Sequence, residues 1–106
     1  MKGVIKGVLA EELENSLRMK KGYEAALAKL PKGSLALRRI KGHDYYYVAK
    51  RDGKKVRYIY RGKISDEEKK KYGEAKVLRA KYRKLLSRVK KQIRFLRSSL
   101  RGKEAI

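Results

Sequence analysis

The sequence predicts an α+β fold: an N-terminal helix, a three-stranded antiparallel β-meander and a long basic C-terminal helix. Three observations carry that expectation. Apolar residues recur at helical spacing near both ends of the chain, a block of β-forming residues with turn signals lies between them, and the single proline separates the first helix from that block. The 106 residues are expected to form one domain, with a helix at 8–30, the meander at 34–62, a long helix at 65–101 and a tail at 102–106.

The first helix is read from Leu9, Leu13, Leu17, Tyr23, Leu27 and Leu30, which return at roughly helical intervals. Glu11, Glu12, Glu14 and Glu24 sit in this segment, and Pro31 followed by Lys32-Gly33 stops it.

The strands are read from Tyr45-Tyr46-Tyr47-Val48 and Val56-Arg57-Tyr58-Ile59-Tyr60, both rich in β formers. Asp52-Gly53 is a hairpin signal, and Gly42-His43 is a weaker one. Strands at 34–41, 44–51 and 54–61 follow, with Tyr47 opposite Tyr58 and Arg38, and Tyr45 opposite Tyr60 and Ile40. One face then holds Ala36, Arg38, Ile40, Tyr45, Tyr47, Ala49, Val56, Tyr58 and Tyr60. The other holds Leu35, Leu37, Arg39, Tyr46, Val48, Lys50, Arg57, Ile59 and Arg61. The first carries a single charge and is the expected core face, which leaves Tyr46 among cations on the open face.

The long helix opens on Ser65-Asp66-Glu67-Glu68. Ser65 and Glu68 have the spacing of a capping box, and the acids suit the helix N-terminus. Ala75, Leu78, Tyr82, Leu85, Val89, Ile93, Leu96 and Leu100 keep one apolar stripe in register, and Gly102 is a plausible stop. At ~1.5 Å per residue this helix reaches roughly 54 Å against ~35 Å for the first. Its far end, with Ile93, Phe95, Leu96 and Leu100, is therefore expected to overhang and to need a partner, a second copy being one.

Composition bounds the function. Lys and Arg number 32 against 11 acids, for a net charge of +21. Such a surface repels itself and is relieved by a polyanion, of which a phosphate backbone is the commonest. The chain has no Cys and one His, which removes disulfide scaffolds and Cys/His zinc sites. No apolar run approaches a signal-peptide core or a membrane span, so a soluble, cytoplasmic protein without membrane association is expected. His43 reads as a turn residue beside Asp44, and the acids cluster at helix starts rather than converging on a metal. No Gly-rich phosphate loop is present. No catalytic residue, metal or cofactor is expected, and the chain is read as a non-enzyme.

Between Glu74 and Glu104 there is no acid at all. A solvated helix normally mixes charges, because opposite charges four residues apart support it and like charges cost it stability. The candidate phosphate-binding residues are accordingly Lys76, Arg79, Arg83, Lys84, Arg88, Lys91, Arg94 and Arg97. Arg39, Arg57 and Tyr46 are the candidate base-contacting set on the sheet, an aromatic ringed by cations being suited to stacking on unpaired bases.

Leu30-Pro31-Lys32-Gly33-Ser34-Leu35, Ile40-Lys41-Gly42-His43-Asp44-Tyr45-Tyr46-Tyr47, Gly53-Lys54-Lys55-Val56 and Tyr60-Arg61-Gly62-Lys63 together resemble a short, uncharacterised domain family of prokaryotes and mobile elements. In that family an LPKGSL segment, a Tyr-Tyr-Tyr run and a Tyr-x-Gly segment precede a charged helix. The resemblance covers about residues 30–100 and implies a phage or mobile-element setting, with no catalytic residue to carry over. The expected function is a small basic nucleic-acid-binding protein, for RNA or DNA, working mainly through phosphate contacts. Two alternatives stand beside it. One is an inhibitor or adaptor docking on a nucleoprotein machine such as an RNA-guided defence nuclease. The other is a ribosomal-type assembly protein.

Overall fold

The computed structural model describes residues 2–104 and is α+β, in the order α1 (Lys2–Lys29), β1 (Ser34–Ile40), β2 (His43–Asp52), β3 (Lys55–Gly62), α2 (Asp66–Glu104). The strands form one antiparallel sheet in the order β1-β2-β3. The chain divides into two compact units. One comprises α1 and the part of α2 from Ala80 onward; the other runs from Leu30 to Arg79 and holds the sheet and the start of α2.

In the helical unit α1 begins six residues earlier than the periodicity indicates, so Gly7 is helical. Gly in a helix interior costs roughly 0.5–1 kcal/mol against Ala, a penalty a long helix absorbs. The helix stops at Lys29 because Leu30 precedes Pro31, and the proline ring disfavours helical geometry one residue upstream. α1 lies antiparallel to the α2 segment: the Tyr23 and Tyr82 rings are 6.2 Å apart, and further along Leu13 shares a groove with Leu100. Val89, Ile93 and Leu96 are buried in this seam. The expected overhang is thus absent for Ile93 and Leu96, which the longer α1 reaches, whereas Phe95 points away and is 68% exposed. The apolar residues left over lie at the same end but on α1, where Val4, Ile5 and Val8 are exposed. α2 continues through Gly102 to Glu104; of the expected tail, 105–106 lie outside the described residues.

In the sheet unit both hairpins turn one residue away from the expected place. Lys41-Gly42, with φ of 51° and 80°, forms the first two-residue loop, and Gly53-Lys54, with Gly53 at φ 64°, forms the second. Positive φ at both loop positions belongs to a I′ turn, and Gly first to a II′ turn. β2 is consequently one residue longer at each end. Ala36 stands opposite Tyr47, Arg38 opposite Tyr45, Tyr47 opposite Tyr60 and Ala49 opposite Tyr58. Moving a turn by one residue moves the register by two, so the expected membership of the two faces survives.

The choice of core face does not survive. Val48, on the face with four cations, is 2% exposed, and the tyrosine-rich face expected to be core is open. Counting cations alone misleads because both acids of the sheet, Asp44 and Asp52, lie on the same face as those cations. Arg39 Nε donates to Asp44 Oδ1 at 3.1 Å, Arg57 lies 3.7 Å from Asp52, and Arg61 Nη2 donates to Glu68 Oε1 of α2 at 3.2 Å. The start of α2 covers part of this face, while Leu37 and Ile59 on it stay exposed. Lys69 stands over Tyr46, and Arg79 Nη2 donates to the Pro31 carbonyl at 2.6 Å. Ser65 caps α2 as expected: the Glu68 amide donates to its Oγ at 3.2 Å and the Lys69 amide to its carbonyl at 3.1 Å.

Candidate nucleic-acid interface

The basic segment of α2 is built to leave its cations free. Val89, Ile93, Leu96 and Leu100 take the side facing α1, so the intervening Lys and Arg side chains are forced outward by the 3.6-residue period. Among the described residues no α2 cation from Arg83 to Arg101 makes an ion pair. The only ion pair within the helical unit whose partners are both described is Lys20 with Glu24, at 3.9 Å on α1.

Several of these cations converge. Lys90, Arg94 and Arg97 line a groove of about 320 Å³ with Ile93 and with Lys20 of α1. Arg94, Arg97 and Arg101 line an adjoining one of about 590 Å³ with Leu13 and Leu100. Arg83, Lys90 and Arg97 are seven residues apart, as are Arg94 and Arg101, so they make one flank of the apolar seam. No described carboxylate lines either groove. Of the expected phosphate-binding residues, Arg94 and Arg97 stand in this cluster and Arg83 on the same flank. Lys84, Arg88 and Lys91 are exposed on the remaining sides of the helix. Lys20 escapes a reading confined to the long helix, since its place follows only from the antiparallel pairing. Lys90 and Arg101 belong to the acid-free run, but only the position of α1 singles them out.

In the sheet unit Lys76 is exposed, whereas Arg79 is half-buried and spends one guanidinium nitrogen on Pro31. Of the expected base-contacting set, Arg39 and Arg57 are largely exposed and pair with Asp44 and Asp52, and the ring of Tyr46 is 4.8 Å from Lys69 Nζ. Hydrogen bonding to Tyr46, opposed by desolvation and aided by nearby Asp66 and Asp44, holds the Lys69 ammonium above the ordinary lysine value.

No protein-family model matches the chain, and no curated protein or solved structure is found to be similar to it. Among the described residues no helix is long and apolar enough to cross a membrane.

The opposite sheet face is open. Tyr58 is 66% exposed and Tyr60 53%. Tyr60 lies 5.3 Å from Tyr47 edge-on and 6.3 Å from Tyr45. Beside them Ala36, Leu37, Arg38, Tyr47 and Tyr58 line a cleft of about 340 Å³.

Proposed function

We propose that the protein binds nucleic acid through its phosphate backbone, with the basic flank of the helical unit as the main contact. One observation carries this reading: an acid-free surface of α2 whose cations are unpaired among the described residues, several of them gathered around two grooves, one of which Lys20 also lines. Unpaired like charges destabilise the helix that bears them. A phosphate strand supplies the missing negative charge at the spacing a ridge of cations can follow, and releases condensed counterions as it binds. Arg is well matched to phosphate because its planar guanidinium offers paired donors. The apolar patches of Leu13, Ile93 and Leu100 in the groove floor accommodate the sugar side of a strand rather than water alone.

Contacts of this kind fix affinity and carry little sequence information. The test is the affinity of the whole protein for a DNA duplex and for a single strand over a range of salt concentrations. With about six phosphates neutralised, log K falls against log salt with a slope near −4 to −5. An affinity that does not change between low and moderate salt defeats the reading.

A further inference from the structure

We infer that the open tyrosine face of the sheet is a stacking site for unpaired bases, so that the protein takes single-stranded nucleic acid on this face; this rests on the nucleic-acid reading above. Of the candidate base contacts that the sequence singles out, the Tyr46 ring is covered by Lys69, and Arg39 and Arg57 are exposed in surface pairs with Asp44 and Asp52. The structure instead exposes the rings on the other side. Tyr58 and Tyr60 leave large apolar surfaces in water, which a folded chain without a partner gains nothing by doing.

The row construction makes room for a flat ligand. Small residues stand directly opposite large ones, Ala36 against Tyr47 and Ala49 against Tyr58. The cleft lined by Ala36, Leu37, Arg38, Tyr47 and Tyr58 lies at the first of these pairs. A base entering it meets the π-face or edge of tyrosines on two strands, and the guanidinium of Arg38 is in reach of its edge or its phosphate.

Charge decides between occupants. Alternation places Arg38 and Arg51 on this face and both sheet acids, Asp44 and Asp52, on the closed one. Lys41 and Lys54 sit at the two hairpin tips. Two copies meeting through this face would bring Arg38 and Arg51 of each together with no carboxylate from either face to offset them. A single strand brings bases for the rings and phosphates for the cations in one ligand, whereas a duplex keeps its bases stacked on each other and offers this face no rings to cover.

The experiment uses the full chain, which has 8 Tyr and no Trp, so tyrosine emission reports directly. Single-stranded oligothymidylate and a DNA duplex of equal length are titrated at one fixed salt concentration into the parent, Tyr58→Ala with Tyr60→Ala, and Tyr58→Phe. Folding of each is checked by far-ultraviolet circular dichroism. The expected result is quenching of the parent by the single strand and a loss of about 10-fold or more in single-strand affinity in the double Ala variant. Duplex affinity stays within about twofold, and Tyr58→Phe, which keeps the ring, binds as the parent does. If the double variant binds both ligands as the parent does, the stacking site is overturned and the phosphate reading stands. If the parent binds neither ligand at low salt, both fall. If the double Ala variant shifts the light-scattering mass of the free protein and leaves binding unchanged, the face is a contact between copies and the inference is overturned.

Discussion

Lys69 Nζ stands 4.8 Å from the centroid of the Tyr46 ring, and through this contact the first turn of α2 sits on the closed face of the sheet. The cation gains from the ring's negative face and from hydrogen bonding to the same residue, which raises its proton affinity. The sign of the linkage follows: a raised lysine contributes stability below its ordinary value, and this is lost as pH rises through the folded-state value. Replacing Tyr46 with Leu is expected to return Lys69 towards the ordinary lysine range. An NMR titration of the lysine side-chain signals reads this directly. The same variant leaves the preference for single strand over duplex unchanged, because Tyr46 faces α2 and not the open surface.

A second prediction concerns Ser16, the most buried residue of the helical unit at 1% exposure. Its hydroxyl has no hydrogen-bond partner among the described residues. A buried polar group left unpaired costs about 1–3 kcal/mol. Ser16→Ala removes that cost, improves helix propensity and deletes one atom. A gain of about 1 kcal/mol is expected, seen as a higher denaturation midpoint with an unchanged denaturant slope. A loss of stability would mean that the hydroxyl is satisfied in solution.

Two glycines should respond with opposite signs. Gly33 holds φ at 94°, and a Cβ there would come within 2.8 Å of Val48 Cγ1 and 2.9 Å of the Ala49 carbonyl oxygen. Gly33→Ala therefore combines a strained backbone with a clash against Val48, the buried core residue of the sheet, and a loss of about 2 kcal/mol or more is expected. Gly73 lies exposed within α2 with open space around its missing side chain. Gly73→Ala is expected to stabilise by about 0.5–1 kcal/mol. Thermal unfolding of the two variants beside the parent measures both.

The elements that local chemistry dictates were legible in the sequence. The Ser65 cap, the Pro31 stop, the β-forming runs and the stripe through Val89, Ile93 and Leu96 each rest on neighbours within a few residues. Face membership was legible too, because a shifted turn preserves parity. Which face is covered was not: Arg39 and Arg57 stay in solvent beside Asp44 and Asp52, Arg61 is met by Glu68 from another element, and a count of cations therefore does not mark the open face. Lys20 entered the basic cluster only through antiparallel pairing, and the start of α1 was missed because glycines at 3 and 7 weaken a helix signal without preventing the helix.

The basic flank offers the sharpest separation of a binding role from a structural one. Arg94 and Arg97 line both grooves of the helical unit and have no described carboxylate partner. If they serve the fold, reversing their charge should destabilise it. If they serve a polyanion, reversal removes repulsion from a chain of net charge +21 and costs the free protein nothing. Arg94→Glu with Arg97→Glu is therefore expected to leave the denaturation midpoint unchanged or slightly raised, most visibly at low salt where screening is weakest. The same change should weaken single strands and duplexes alike and make the salt dependence shallower by about 1 in slope for each phosphate no longer neutralised. Arg39→Ala is the counterpart. It breaks a surface pair with Asp44 worth about 0.2–1 kcal/mol and should leave the salt slope nearly intact. Denaturant melts and salt-dependent binding curves on the three proteins suffice. A reversed variant that melts early and still binds with the parent's slope would make Arg94 and Arg97 structural and place the phosphate-binding surface elsewhere.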